Sequence, residues 1–428
     1  MKIVILFALY VILYISCRLI LKQKDKNTNL TLVLLLFCLS FNLSISYNQY
    51  LQGEILYISF HSVFIALIVC LLFSFNKRSL RFGIESIYLF VAMINFIVES
   101  YFKISDYVNF MRIVMTFTSF LIIIMIYKSI SSININKILY SINYVAIFNS
   151  ILGIAQYITG KQLLLGSFNT PILYTEGAVD TNRAVGIAAS NNSGGNFGAL
   201  VFGVILYNCF SSNRKLSWVA LFLTLIFSAL TLTRIGMVGI VFEILIFYLA
   251  YSPKNRKEQK LKLISGYIGM VIIMLLLVFF RHDIYNALFI ERGNTTSSRF
   301  MQYERIYHYI LSNKLLFGIG DGQYRNYMYS TYHILDLQIH SQYLNVLAEQ
   351  GLFLFLLFVL FNIFIFARIV MSRKISKNLK VLSIMIFTAN FICSNFNPNQ
   401  YYYLNNVLYY IIMFGVFFYS KQGINNTF

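Results

Sequence analysis

His340 lies in the run Ile339-His340-Ser341-Gln342-Tyr343-Leu344-Asn345. Near neutral pH an imidazole is the side chain best suited to take a proton from a hydroxyl, and a positioned general base contributes about 10²–10⁴ in rate. Arg183, Arg234 and Arg299 are the other chemically suggestive residues. A guanidinium stays charged at any relevant pH, and its planar fork matches phosphate oxygens, so several arginines at one depth suggest a diphosphate site. Each has a plainer reading. A histidine near a membrane interface commonly makes structural hydrogen bonds, and a lone arginine snorkels to lipid head groups. His61, His282, His308 and His333 have no comparable context.

Between Arg183 and the apolar stretch that follows it, Ala188-Ala189-Ser190-Asn191-Asn192-Ser193-Gly194-Gly195-Asn196-Phe197-Gly198 is a poor surface to show to lipid. Two readings stand side by side. Small residues let helix backbones approach closely, which describes a tightly packed central helix. The same residues would also suit a polar cavity, with Asn191, Asn192 and Tyr303 as its lining candidates. Further along, Gly318-Ile319-Gly320-Asp321-Gly322 could present backbone N–H groups to an anion, or be a plain turn.

The elements that must hold these residues are membrane helices. Of 428 residues, 58% are hydrophobic and only 11% are charged, which excludes an ordinary water-soluble domain. Apolar stretches at about 3–21, 29–46, 55–75, 84–102, 108–127, 139–158, 185–209, 216–233, 235–251, 263–280, 343–367, 381–396 and 403–420 are each long enough to cross about 30 Å of hydrocarbon. The expectation is an all-α, polytopic membrane helical bundle of about 12–13 transmembrane helices. The first stretch has the length of a retained membrane helix and lacks the small-residue cleavage site of a signal peptide.

A net charge of +19 would suggest nucleic acid only if the Lys and Arg shared one surface. They are instead scattered between apolar stretches. Taking every second connection collects 22 of the 34 basic residues, from Arg18 and Lys22 to Lys421, against only Asp25, Glu85 and Glu258. Short cytoplasmic loops gather positive charge, so the count predicts an N-terminus outside and a C-terminus in the cytoplasm. On that topology the two long connections, the arginines and His340 all face the exterior. The chain divides into N-terminal transmembrane helices (1–158), an outer loop (159–184), central helices (185–280), a large outer loop (281–342) and C-terminal helices (343–428). Within the large loop, Phe300, Tyr303, Ile306, Tyr307, Ile310 and Leu311 recur at helical spacing and predict an amphipathic helix.

Absences narrow the chemistry. The five cysteines form no CxxC or other metal-ligand spacing. There is no DxD pair, no GxxxxGK[ST], no GxSxG and no HExxH, so the sequence implies no metal and no cofactor. Glu243 is the one clear acid inside an apolar stretch, where an ion-coupled transporter would carry more.

Arg183-Ala184-Val185-Gly186 leading into Asn191-Asn192-Ser193-Gly194, Leu232-Thr233-Arg234-Ile235-Gly236, Ser297-Ser298-Arg299-Phe300 with Leu316-Phe317-Gly318-Ile319-Gly320, and His340-Ser341-Gln342-Tyr343-Leu344 with Glu349-Gln350-Gly351-Leu352 occur in that order. Together they resemble the O-antigen ligase and polymerase superfamily, the Wzy-type repeat-unit polymerases and their ligase relatives. The resemblance covers about residues 183–352. Thr233 stands where relatives often carry Ser, a minor departure.

The resemblance implies a GT-C-like membrane glycosyltransferase that uses a polyprenyl diphosphate-linked sugar without a metal ion. It further implies that Arg183 and Arg299 engage the diphosphate, that Arg234 is a third recurring arginine, and that His340 is the base. On this view undecaprenyl diphosphate-linked oligosaccharide repeat units are joined, with inversion, into capsular, exo- or O-antigen polysaccharide on the outer face of the cytoplasmic membrane. A flippase and a chain-length regulator are possible partners, and no nucleic acid is involved. Two alternatives remain. A ligase would pass finished glycan to a lipid or protein acceptor, and a flippase or transporter would be a similarly basic bundle but should show two related halves.

Overall fold

The computed structural model describes residues 44–51, 54–74, 83–101, 104–130, 133–164, 167–174, 181–188, 190–212, 215–279 and 295–422, with isolated positions between 4 and 15 and at 282 and 286. The fold is that of an all-α polytopic membrane protein. Its helices are α1 (Ser62–Ser74), α2 (Ile87–Tyr101), α3 (Tyr107–Ser129), α4 (Ile135–Thr159), α5 (Asn191–Ser211), α6 (Lys215–Leu230), α7 (Arg234–Ala250), α8 (Arg256–Phe279), α9 (Thr295–Ile306), α10 (Tyr324–Tyr332), α11 (Gln342–Met371), α12 (Lys377–Phe396) and α13 (Tyr403–Gln422). Among the described residues α3, α4, α5, α11, α12 and α13 are long and apolar enough to cross a membrane. Most of the stretches expected at 3–21 and 29–46 lie outside the described residues.

The stretch expected as one helix over 55–75 is not one. Strands β1 (Ser44–Leu51) and β2 (Glu54–His61) pair antiparallel, with Ser44 opposite His61 and Leu51 opposite Glu54, and only from Ser62 does the chain become helical. The physical reason is in the order of residues. Ser44-Ile45-Ser46-Tyr47-Asn48-Gln49-Tyr50 and Glu54-Ile55-Leu56-Tyr57-Ile58-Ser59-Phe60 are rich in Ile, Tyr and Phe with polar residues interspersed, which suits a pleated ribbon, and Gln52-Gly53 lies between them. The stretch expected from 185 also starts later. Gly186–Ala188 is a 3-10 turn, and α5 begins at Asn191 after Ser190, whose hydroxyl accepts the Ser193 N–H. Leu173–Tyr174 pairs with Thr181–Asn182 as β3 and β4.

The chain forms two compact units: residues Met1–Ser141, Phe300–Ile375 and Cys393–Phe428, and residues Ile142–Arg299 and Ser376–Ile392. In the first, α3 packs against α1 and α13, and α11 against α2 and α13. Tyr127 donates to the Ile411 carbonyl at 2.7 Å, and Tyr410 to Asn362 Oδ1 at 3.0 Å. Glu85 is ion-paired with both Lys128 (3.0 Å) and Lys421 (3.2 Å), so the start of α2 and the ends of α3 and α13 lie at one level. In the second unit α5 is the centre, buried along its whole apolar length by α6 and α7. The backbones of α5 and α7 meet where a Cβ on Gly236 would stand 2.5 Å from the Gly195 carbonyl oxygen, a separation only glycine permits. Glu243 of α7 is fully buried beside Gly203 of α5.

Candidate active site

His340 ends an extended segment, 333–340, that runs from α10 to the N-cap of α11. Three side chains fix that segment. Asp336 accepts a hydrogen bond from Tyr324 Oη at 2.7 Å and pairs with Arg305 at 3.4 Å. Arg325 Nε donates to the Asp336 carbonyl at 3.1 Å. Beneath it, Ile306, Ile310, Tyr324, Met328, Ile339 and Ala348 form a small closed core. Ser341 caps α11, its hydroxyl accepting the Leu344 N–H at 3.3 Å.

The imidazole itself is oriented by α9. Along this helix the buried line is Gln302, Ile306 and Ile310, four residues apart. A π turn at Tyr307–Leu311 continues the helix to Lys314, and Phe300 and Tyr307 stay exposed. The helix expected in the large loop is therefore present, with its apolar residues split between a buried line and the surface. Gln302 donates Nε2–H to the Leu337 carbonyl at 3.0 Å and to Asp336 Oδ1 at 3.2 Å, which turns its carbonyl oxygen toward His340. That oxygen accepts the His340 backbone N–H at 3.1 Å and stands 3.2 Å from Nδ1. An amide oxygen only accepts, so Nδ1 carries the proton, and in the neutral form of the ring the lone pair is on Nε2. Tyr303 Oη donates to the His340 carbonyl at 3.4 Å.

The glycine run supplies the anion nest it hinted at, and the anion is the protein's own. Gly322 N–H and Tyr324 N–H donate to the Glu349 carboxylate at 2.9 and 3.1 Å, and Tyr401 Oη donates at 3.2 Å. Ile319 N–H and Gly320 N–H donate to the Ala348 and Glu349 carbonyls. Such close approach needs Gly318 (φ +68) and Gly351 (φ +80), where a Cβ would strike the facing backbone, and Gly351 also kinks α11. Glu349-Gln350-Gly351 thus binds the large loop to the start of α11.

Asp321, in the same loop, accepts from Gln350 and gives its N–H to Glu99 at 3.0 Å. Burial, reinforced by the Glu99 charge, holds its carboxyl well above the usual carboxylate range. An acid raised in the folded state favours folding fully at low pH, and that contribution is lost as pH rises through the folded value. Asp321→Asn is therefore expected to raise the thermal unfolding midpoint at pH 8 more than at pH 5; an equal shift at both would contradict this.

In the second unit Arg183 is almost wholly buried, at 1% exposure. Its Nε donates to the Thr231 carbonyl at 2.8 Å and its Nη2 to Thr233 Oγ1 at 3.1 Å and Asn192 Oδ1 at 3.5 Å. Thr233 Oγ1 donates in turn to the Asn191 carbonyl at 3.0 Å. The guanidinium therefore lies between the start of α5 and the start of α7, where Arg234 is the first helical residue. These three acceptors are neutral groups. Two residues of α4 hold the chain that carries it: Gln156 Oε1 accepts the Val185 and Gly186 N–H groups, and Asn149 Oδ1 accepts that of Ile187.

Thus Arg183, Asn191, Asn192 and Arg234 gather in one unit, and Tyr303 and His340 in the other. Arg299 is half-buried in the first turns of α9, one helical turn before Tyr303. Gln302, Glu349, Gln156 and Asn149 escaped sequence reasoning as functional residues. Glu349 stood only within the quoted run Glu349-Gln350-Gly351-Leu352, and Gln302 left a signal as a polar residue inside a buried apolar line.

The family model described as O-antigen ligase matches residues 219–359. Those residues belong to the O-antigen ligase family. The O-antigen ligase domain runs from α6 into α11 and takes in Arg234, Arg299, Tyr303, His340 and the Glu349 anchor, while Arg183, Asn191 and Asn192 precede it. The chain is a multi-pass membrane protein that carries this O-antigen ligase-like region. No curated protein matches the chain.

Proposed function

We propose that the protein polymerises undecaprenyl diphosphate-linked oligosaccharide repeat units on the outer face of the cytoplasmic membrane. The observation that carries this reading is the Gln302–His340 pair inside the O-antigen ligase domain, a histidine whose tautomer leaves Nε2 as a base. His340 Nε2 takes the proton from a sugar hydroxyl of the acceptor. The oxygen attacks the anomeric carbon of the lipid-linked chain from the face opposite the leaving group, so the centre inverts. The bond to the diphosphate breaks, and undecaprenyl diphosphate departs with the bonding electrons. Arg183 and Arg299, with Arg234, stabilise its developing charge, the part a metal plays in many transferases. Repeat units would reach this face through a flippase, and a chain-length regulator would act on the product.

Arg299→Ala is expected to lower polymer formation by about 10²–10³ while the protein stays in the membrane, as losing one donor to a developing oxyanion does. Gel analysis of the polysaccharide against immunoblot of the protein checks this; normal chain length at normal protein level contradicts it.

Gln302 is a positioning residue. Gln302→Leu is expected to lower transfer about 10-fold, since the ring loses the partner that fixes its tautomer. Gln302→Glu places a carboxylate beside Nδ1–H and raises the imidazole pKa. The base works neutral, so the acid limb of the pH–rate profile moves to higher pH, by about one unit. A purely structural role for Gln302 leaves that limb in place.

The family model's own description favours a second reading, ligation of finished glycan to a lipid or protein acceptor. Products of a null strain decide: single repeat units mark loss of a polymerase, and polymer retained on the carrier lipid marks loss of a ligase.

A further inference from the structure

Between Arg234 and Arg299 in the sequence, one face of α8 lines a groove of about 660 Å³ in the second unit. Gln259, Lys262, Leu263, Gly266, Tyr267 and Met270 fall at i, i+3, i+4, i+7, i+8 and i+11, so a single helical stripe forms one wall. Tyr248 of α7 packs opposite Gly266, its hydroxyl bonded to Ser265 at 3.0 Å.

The groove is polar at one end and apolar along its length. Leu263, Tyr267 and Met270 are 67%, 67% and 55% exposed. At the polar end Lys262 Nζ donates to the Tyr251 carbonyl at 2.8 Å, which fixes the ammonium without neutralising it. The charge of Lys377 also bears on Lys262. Lys377 opens α12, whose next residue, Asn378, holds the α7–α8 turn by two hydrogen bonds to the Ser252 backbone, at 2.9 and 2.7 Å. Arg256, Lys257 and Lys260 add to the positive field. Among the described residues none of Arg256, Lys257, Lys260, Lys262 and Lys377 is ion-paired. Glu258, the one acid in the α8 stretch, caps the turn by accepting the Lys254 N–H at 2.7 Å.

We propose that this groove binds an anionic phospholipid, its phosphate beside Lys262 and Lys377 and one acyl chain along Leu263, Tyr267 and Met270. Charge complementarity selects the head group: clustered cations at the edge of an apolar helical face attract anionic lipid, each contributing about five-fold in affinity. The apolar stripe selects a lipid over a free phosphate, because a soluble anion would leave it uncovered.

Native mass spectrometry of the purified full-length chain, titrated with phosphatidylglycerol and with phosphatidylcholine of the same acyl chains, tests the proposal. Phosphatidylglycerol is expected to bind about 10-fold or more tightly than phosphatidylcholine. Lys262→Met is expected to reduce that preference about five-fold, and Lys377→Met does the same should the first variant fail to fold. Met270→Trp fills the groove and should weaken binding of the anionic lipid. Equal affinity for the two lipids overturns the proposal, as does a preference unchanged in both lysine variants or binding untouched by Met270→Trp. Glycerol 3-phosphate displacing the lipid at equal concentration would assign the groove to free phosphate and overturn it too.

Discussion

Replacing His340 by alanine is expected to leave single repeat units in place of long polymer, with the protein still in the membrane at its usual level. The expected loss is about 10²–10⁴ in rate, the range for a positioned general base. The environment of His340 explains why the protein should survive the change. The segment that carries it is held by Asp336, Tyr324, Arg305 and Arg325, and the core beneath it is closed by Ile339 and its neighbours, so the imidazole is not needed to fold the loop. The Gln302 bond to the His340 backbone N–H also persists in the variant. Polysaccharide gels with parallel immunoblots read both quantities. Full-length polymer from His340→Ala would remove the base from the mechanism, whereas absent protein would make the residue structural.

Glu349→Ala, in α11, is expected to be strongly destabilising because it releases the large loop from that helix. Two backbone N–H groups and a tyrosine hydroxyl converge on this carboxylate. Its removal leaves them buried with no acceptor, at about 1–3 kcal/mol for each. The loss also frees the Gly318–Gly322 turn from α11 and with it the core under Ile339, so transfer activity should fall together with stability. Glu349→Gln keeps one acceptor oxygen and should recover part of the loss. Thermal unfolding in detergent measures the order, wild type above Gln above Ala; an Ala variant that unfolds with the wild type would show that the nest closes without its anion.

Much of this architecture was legible in the order of residues, for identifiable reasons. From Ile87 to Gln422 the helices other than α9 and α10, which match no apolar stretch, follow the apolar stretches to within a few residues, apart from the late start of α5 and the early start of α8, because length and hydrophobicity alone decide what can cross a bilayer. The hairpin at Ser44–His61 was hidden by the same rule, since its Ile, Leu, Tyr and Phe count toward hydropathy however they are spaced. His340 stood out by type. Its partner Gln302 lies 38 residues earlier and becomes a partner only when α9 packs beside the 333–340 segment. The glycine run announced a nest, but the carboxylate that fills it belongs to a helix 27 residues on. Of the two readings of the small-residue stretch at the start of α5, tight packing accounts for Gly195, which faces the α7 backbone. The acceptors around Arg183 come from the Thr231–Thr233 turn and from Asn192, and the approach of Thr231 and Thr233, about 50 residues on, leaves no trace in local sequence.

The central claim is that arginines and an imidazole from distant parts of the chain serve one lipid-linked diphosphate sugar. A structure of the full-length protein with undecaprenyl diphosphate bound tests it most directly. The account predicts phosphate oxygens within hydrogen-bond reach of both Arg183 and Arg299, with His340 Nε2 facing the position of the departing anomeric carbon. Diphosphate held elsewhere, or arginines and imidazole too far apart to meet one ligand, would contradict it.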